Sequence, residues 1–152
     1  MAVVTPGTFS MAALTTEVTT DPKGLGYAGA SGNAATIADL MNLAPEPIAA
    51  GSQEQIYRTR ADSRDLMAGI VLSEFVALVQ ANRDYCLMLF SAPQVNTGDA
   101  NVRTQLAAIF GGATTSRANM IAAAQKNAAR SEALFGDGRK VTAVEVSQAL
   151  GQ

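Results

Sequence analysis

The stretch from Asp99 to Gln125 constrains the fold more than any other, because it predicts two helices joined by a pair of glycines. Asp99 is a favourable N-cap residue, and apolar residues follow it at the three-, four- and seven-residue spacings of one helical face. The glycines at 111–112 then end the first helix, since glycine adopts the left-handed conformation that closes a helix without steric cost. Thr114 or Thr115 supplies a hydroxyl that caps the second helix.

The apolar faces of these two helices predict that they fold back on each other. Their inward-facing residues are Val102, Leu106, Ile109 and Phe110 on the first helix and Met120, Ile121 and Ala124 on the second. Neighbouring alanines allow two backbones to approach closely. We therefore expect a helical hairpin over residues 99–125 to be the core unit of the domain.

Helix start and stop signals recur along the rest of the chain and predict an all-α fold. Aromatic residues make up 5% of the chain and tryptophan is absent, so the apolar content consists mainly of residues that pack between helices. The clearest start signal is Thr142 with Glu145, at the spacing of a reciprocal capping box, with Val141 and Val146 as its hydrophobic staple. Further helices are predicted from Ser10 to Thr20, from Asn33 to Leu43, over 62–91 as one bent helix or three short ones, and over 127–135.

Three segments lack helical periodicity. Residues 1–9 predict an extended, flexible N-terminal arm ahead of a single domain over residues 10–152, built from about six to eight short helices. Residues 44–52 are typical of a linker. Residues 53–60 leave a capped helix and an extended segment open, and the extended segment is favoured.

Charge and apolar patterning exclude several broad classes. The net charge is −2, which excludes a strongly basic nucleic-acid coat. Residues 1–76 include four basic and eight acidic residues, whereas residues 77–152 include seven basic and five acidic residues. No apolar run approaches the roughly 20 residues of a membrane span, and no secretory leader is evident, so the sequence predicts a soluble protein. Cys86 is the only cysteine; it lies in an apolar run and is expected to be buried, in a reduced intracellular setting.

No constellation of catalytic residues is visible. The chain has no histidine, which removes Ser-His-Asp and Cys-His catalysis and most zinc sites. Two carboxylate pairs, Asp62 with Asp65 and Glu17 with Asp21, lie at predicted helix ends, where solvated charge is the usual explanation. We expect no enzyme activity, no cofactor and no metal.

Two motifs have a functional interpretation that their context weakens. Residues 24–29, GLGYAG, match the GxGxxG pattern of dinucleotide-binding folds, but no apolar strand precedes them, so a loop is the better interpretation. The helix, Gly-Gly, helix pattern resembles a DNA-reading helix-turn-helix, with Arg117, Lys126 and Arg130 as its basic residues. The start of that second helix offers one arginine and one asparagine, so a packed hairpin is favoured.

Four stretches together resemble a family of small proteins encoded among the virion structural genes of tailed bacteriophages and prophages. They are LTTEVTTDPKGLGYAG, SRDLMAGIVLSEF, NVRTQLAAIFGGATTSRANM with SEALFG, and VTAVEVSQAL. The resemblance spans most of residues 12–150 and carries no catalytic signature. It implies a virion component made in the cytoplasm of the bacterial host. A short, all-helical protein of this type is similar in size and class to the adaptor proteins that form a ring beneath the portal.

The resemblance leads to the hypothesis of a head-to-tail connector subunit that forms a non-enzymatic ring. Its expected partners are copies of itself, the portal and tail proteins, and packaged DNA passing through the ring, with no membrane. The candidate contact residues are Val3, Val4, Phe9, Tyr27, Ile56, Tyr57, Arg58 and Arg60. The arginines are balanced locally by Asp62 and Asp65, so local salt bridges and contact with an acidic partner both remain open. The alternatives are a tail or capsid decoration protein and, in another class, a small DNA-binding regulator.

Overall fold

The computed structural model describes residues 2–30, 32–43 and 54–152, so the linker predicted at 44–52 lies outside the described residues. The α-helices of the described part are α1 (Met11–Thr20), α2 (Ala34–Asn42), α3 (Ser63–Ala68), α4 (Leu72–Ala77), α5 (Gln80–Phe90), α6 (Ala100–Ile109), α7 (Thr114–Ala124), α8 (Arg130–Phe135) and α9 (Ala143–Ala149). The strands are β1 (Ala2–Val3), β2 (Glu54–Tyr57), β3 (Ala61–Asp62), β4 (Gln94–Val95) and β5 (Gln125–Asn127). The chain is mostly helical, as predicted.

The prediction of a purely all-α fold is wrong, because two small sheets are present. One has the strand order β1-β2-β5, and the other pairs β3 with β4. β1 runs parallel to β2, with Ala2 opposite Glu54, and β3 runs antiparallel to β4, with Ala61 opposite Val95. The strands are two to four residues long and their partners are distant in sequence. Such pairing leaves no local alternation of apolar residues to recognise.

The chain divides into two compact units. Unit 1 consists of Met1–Ile56 and Asn127–Gln152, and unit 2 consists of Tyr57–Lys126. The chain therefore enters unit 2 within β2 and leaves it within β5. Each unit has its own apolar core.

The core of unit 1 lies among α1, α2 and α9. Its most deeply buried side chains include Leu14, Tyr27, Ile37, Met41 and Val146. The helices begin where the sequence predicted, because the caps are local. Side chains of Ser10, Asn33 and Thr142 accept hydrogen bonds from backbone N–H groups at the starts of α1, α2 and α9.

The N-terminal arm is extended and lies along unit 1. The Val4 N–H donates to the Gln55 carbonyl at 2.8 Å, and the Gly7 N–H donates to the Leu134 carbonyl at 2.9 Å. The Phe9 ring packs edge-on against Phe135, with 5.0 Å between the ring centroids. These contacts join the arm to the same core as the helices.

The core of unit 2 gathers Leu66, Cys86, Leu106, Phe110 and Met120 from four helices. Residues 62–91 form three short helices, which resolves the alternative that the sequence left open. Residues 54–57 are extended, as favoured. The helix predicted over 127–135 begins only at Arg130, because Gln125–Asn127 is a strand.

The two helices of the predicted hairpin exist, and all of the side chains predicted to face inward except the exposed Ile121 join one core. The predicted close approach of the two helices to each other is wrong. Asp99 caps α6 as predicted. α7, however, has α3 as its main helical neighbour. The close approach is at Gly69, where an added Cβ would lie 3.0 Å from the Cβ of Asn119. A cavity lies between α6 and α7 instead.

The junction between α6 and α7 also differs from its prediction. Neither glycine of the pair at 111–112 has a positive φ, so no left-handed residue closes α6 there. Neither Thr114 nor Thr115 caps α7. The carboxylate of Glu74, on α4, accepts hydrogen bonds from the backbone N–H groups of Thr115 at 3.1 Å and Ser116 at 2.7 Å. The cap of α7 therefore comes from a residue far away in sequence.

Candidate interaction surfaces

Unit 2 exposes a group of large apolar side chains on α3, α4 and α5. We call this group the apolar patch and define it as Met67, Leu72, Val76, Val79, Leu87 and Met88, which are between 46% and 73% exposed. Leu72 and Val76 are one helical turn apart on α4. Contiguous exposed apolar side chains mark sites of protein association more often than single ones do.

Part of the apolar patch borders a shallow cavity of about 180 Å³. Met67, Leu72 and Leu87 line this cavity together with Phe75 and Phe90 and with two further residues, Ile70 and Cys86. All of the lining side chains are apolar, apart from the thiol. The rim residues are therefore contiguous in space, although they come from three helices. A complementary apolar side chain would be desolvated on entering this cavity.

Unit 1 exposes fewer side chains of this kind. Among its described residues, Val3, Leu43 and Val144 are the exposed large apolar side chains. They lie on β1, at the end of α2 and in the first turn of α9. Single exposed apolar side chains of this kind are ordinary on protein surfaces.

The candidate contact residues occupy different environments. Tyr27 and Ile56 are buried in the core of unit 1, so their side chains are not available on its surface. Val4 and Phe9 are half-buried, and Val3 is exposed. In unit 2, the guanidinium of Arg103 stacks on the ring of the half-buried Tyr57, 4.4 Å from its centroid. Arg58 and Arg60 are exposed, and Arg58 donates from Nε to the Gln125 carbonyl at 3.2 Å.

The loop that matches GxGxxG binds a carboxylate of its own chain. The Asp21 carboxylate accepts hydrogen bonds from the N–H groups of Leu25 at 2.7 Å, Gly26 at 2.8 Å and Tyr27 at 3.2 Å. Convergent backbone N–H groups are what such loops offer to a phosphate. Here an internal anion already occupies them, in agreement with the interpretation of a structural loop.

A charged network that the sequence did not reveal crosses the interior of unit 1. Glu17 is 3% exposed, and both of its carboxylate oxygens accept from the Arg130 guanidinium at 2.8 Å. The same arginine donates to Glu54 at 2.8 Å, and Lys23 pairs with Glu54 at 2.9 Å. The sequence assigned Glu17 to a solvated face. Its pairing with a residue 113 positions away could not be read from local spacing.

The charged network shifts the pKa of the groups around it. Burial raises the pKa of Tyr27 well above its usual range, and the adjacent Glu17 carboxylate, which accepts a hydrogen bond from the Tyr27 hydroxyl at 3.3 Å, raises it further. Burial lowers the pKa of Arg130, but the hydrogen bonds and charges of Glu17 and Glu54 outweigh this effect and raise it. Tyr27 stays neutral and Arg130 stays charged, so the network is structural rather than poised for proton transfer.

The described residues give no further sign of catalytic or metal chemistry. Within them, no group of three or more His, Cys, Asp or Glu side chains could hold a metal ion. Cys86 is 1% exposed, and burial raises the pKa of its thiol to about 11, so the thiolate nucleophile is scarce at neutral pH. None of the helices in the described ranges has both the length and the apolar character needed to cross a membrane.

The start of α7, which would be the recognition helix of a helix-turn-helix, faces an acidic group. The Glu74 carboxylate occupies its first free N–H groups, where a DNA phosphate would otherwise bind. Arg117 lines the cavity between α6 and α7. Lys126 and Arg130 belong to different units.

Comparisons with known proteins found no match: no family model, no curated protein and no solved structure resembles this chain significantly.

Proposed function

We propose that the protein is a structural subunit of a tailed-phage virion, a head-to-tail connector that assembles as a ring and contacts the portal and tail proteins. The proposal joins the resemblance of four stretches of sequence to one structural observation, the apolar patch of unit 2. Subunits of a ring bury surface against their neighbours, and exposed apolar patches mark such contact sites.

The exposed area of the apolar patch favours assembly. Fully burying a Val, Leu or Met side chain contributes about 1.5–3 kcal/mol. The six patch residues are about half to three-quarters exposed, so covering them would supply several kcal/mol before the cost of association. That gain would offset a substantial part of the roughly 4–15 kcal/mol that association costs.

The exposed strand β1 adds a second contact surface. β1 lies at an edge of the three-stranded sheet, and Val3 is exposed on it. An unpaired strand edge is a template for pairing with another chain.

Removing residues 1–9 is expected to preserve helicity and to weaken incorporation into virions.

The direct test measures assembly of variants that remove the patch. We expect the double variant Leu72→Gln with Leu87→Gln to remain folded and to lose ring formation, as seen by electron microscopy and by mass measurement in solution. Val144→Gln is the matched control, because Val144 is 66% exposed and Leu72 is 73% exposed, yet Val144 lies in unit 1. The control variant should assemble as the wild type does.

Two outcomes would contradict the proposal. One is a wild-type protein that stays monomeric at high concentration and is absent from virions. The other is salt-sensitive binding of duplex DNA by the isolated chain in a gel-shift assay, which is the behaviour of a DNA-binding regulator. If the protein is incorporated into tails or onto capsids and not into the neck, it is a virion protein but not a head-to-tail connector.

A further inference from the structure

A second cavity of unit 2 has a chemistry of its own and does not depend on the proposed virion role. It lies between α6 and α7 and has a volume of about 310 Å³. Cavities of this size or larger are typical of sites for small molecules. A volume of this size accommodates about ten groups the size of a water molecule or a methylene.

The walls of this cavity are apolar along most of their length. Leu66, Leu106, Met120, Ile121 and Ala124 supply apolar surface. Four of these belong to the core cluster of the unit, so their side chains are fixed by packing. A flexible hydrocarbon group entering the cavity would exchange water for this apolar surface, which is favourable.

The polar groups of the cavity are two arginines, two threonines and one tyrosine. Arg103 on α6 and Arg117 on α7 both line it, whereas no aspartate or glutamate does. The cavity therefore combines an apolar body with an excess of positive charge. Neutral ligands would leave this charge unmatched, and cations would be repelled.

Arg103 is held in place in a way that leaves part of its guanidinium available. Its Nη1 donates to the carbonyls of Thr97 at 2.8 Å and Gly98 at 2.7 Å, and its plane stacks on Tyr57. Within the described ranges, its Nε and Nη2 make no hydrogen bond. An arginine already oriented by its neighbours loses little side-chain entropy when it binds a planar anion.

Arg117 is exposed and, among the described residues, its side chain has no ion-pair or hydrogen-bond partner. Two arginines from two different helices thus line the same cavity. Arginine binds carboxylates with two parallel N–H bonds, and such charge-assisted bonds are stronger than neutral ones.

We propose that the cavity between α6 and α7 binds a small apolar carboxylate, with Arg103 and Arg117 meeting its charge and the apolar walls enclosing its hydrocarbon part. A medium-chain fatty acid and the last residues of a protein chain both carry this chemistry. Octanoate, with ten heavy atoms, is about the size that the cavity admits.

The test compares octanoate with octanol and octyltrimethylammonium, using calorimetry and the methyl resonance of Met120 in the full-length protein. We expect octanoate to bind and to shift Met120, octanol to bind about tenfold more weakly, and the cation not to bind. A second arm compares acetyl-Ala-Leu as the free acid and as the amide. Binding of the free acid alone identifies a protein terminus as the natural source, and binding of octanoate alone identifies a free fatty acid.

Two variants make the test specific. Arg117→Gln should weaken octanoate about five- to tenfold, the loss expected for one charge-assisted contact at an exposed position. Arg64→Gln is the matched control: Arg64 is an exposed arginine of the same unit that does not line the cavity, and its loss should leave affinity unchanged. Equal binding of octanol and octanoate, equal losses in both variants, or no binding of any carboxylate would overturn the proposal.

Discussion

Unit 1 and unit 2 differ in where they place charged and apolar side chains. Unit 1 has four basic and eight acidic residues, net −4, and it uses charge internally in the Glu17, Arg130 and Glu54 network. Unit 2 has seven basic and five acidic residues, net +2. Its described residues include seven exposed large apolar side chains, compared with three in the described part of unit 1. The described surface of unit 2 is therefore the more apolar of the two.

The largest effect is expected from breaking the internal charge network of unit 1. Arg130→Met leaves the Glu17 carboxylate buried without its cationic partner, with only the Tyr27 hydroxyl among the described residues donating to it, and should lower the free energy of unfolding by about 3–5 kcal/mol. Arg64→Met removes an exposed arginine of unit 2 and should change the free energy of unfolding by less than about 0.5 kcal/mol. Urea unfolding followed by circular dichroism measures both.

The companion variant Glu17→Gln with Arg130→Met tests whether the cost arises from the orphaned charge. We expect it to recover a substantial part of the loss, because a neutral amide is easier to bury than a carboxylate. If Arg130→Met and Arg64→Met have equal effects, the network does not hold unit 1 together.

Glycine substitutions give the next largest effect and test how unit 2 is packed. In Gly69→Ala, the added Cβ lies 3.0 Å from Asn119 and 3.2 Å from backbone atoms of α7, so we expect a loss of about 1–3 kcal/mol. Gly112 has no atom within 4 Å of an added Cβ and no positive φ. Gly112→Ala should therefore be neutral or should stabilise by about 0.4–1 kcal/mol. Thermal and urea unfolding would show this ranking. The reverse ranking would support the predicted hairpin in which the glycines at 111–112 close α6.

A smaller effect separates stability from assembly in unit 2. Val79 is the N-cap residue of α5 and makes no side-chain cap hydrogen bond. Val79→Ser should raise the free energy of unfolding by about 0.5–1 kcal/mol by supplying that cap, and it should weaken assembly by removing an apolar patch residue. Val144→Ser, which is not at an N-cap position, should change neither property by much. A more stable variant that assembles as well as the wild type would remove Val79 from the interface.

The smallest effect concerns the carboxylate that caps α7. Hydrogen bonds from Ser116 and Thr115 hold the pKa of Glu74 below its ordinary value of 4.5. A lowered pKa in the folded state means that the stabilisation is complete above the ordinary pKa and is lost as pH falls through the folded pKa. The difference in Tm between wild type and Glu74→Gln should thus shrink on acidification. A difference independent of pH would show that the charge of Glu74 does not contribute.

Sequence reasoning succeeded where the interaction that defines an element is local. Ser10, Asp99 and Thr142 cap the helices that they were predicted to cap, because each accepts a hydrogen bond from a backbone N–H two or three residues along the chain. The buried state of Cys86 also followed from its apolar neighbours.

Sequence reasoning failed where the partner is distant. The cap of α7 comes from Glu74, about forty positions away, and the strands β1 and β2 pair across a similar distance. The alanines of α7 predicted close packing on α6, but α7 packs on α3, where Gly69 lies beside Asn119. The cavity between α6 and α7 is a product of tertiary packing, so the meeting of Arg103 and Arg117 at one cavity could not be anticipated from local spacing.

The central claim is that the apolar patch of unit 2 is covered in the assembled particle. Hydrogen-deuterium exchange of the dissociated protein and of the assembled particle tests this most directly. We expect protection to increase over residues 67–90, which contain the patch, and to stay unchanged over α9, which carries the exposed Val144. Unchanged exchange over residues 67–90, with new protection confined to unit 1, would contradict the claim.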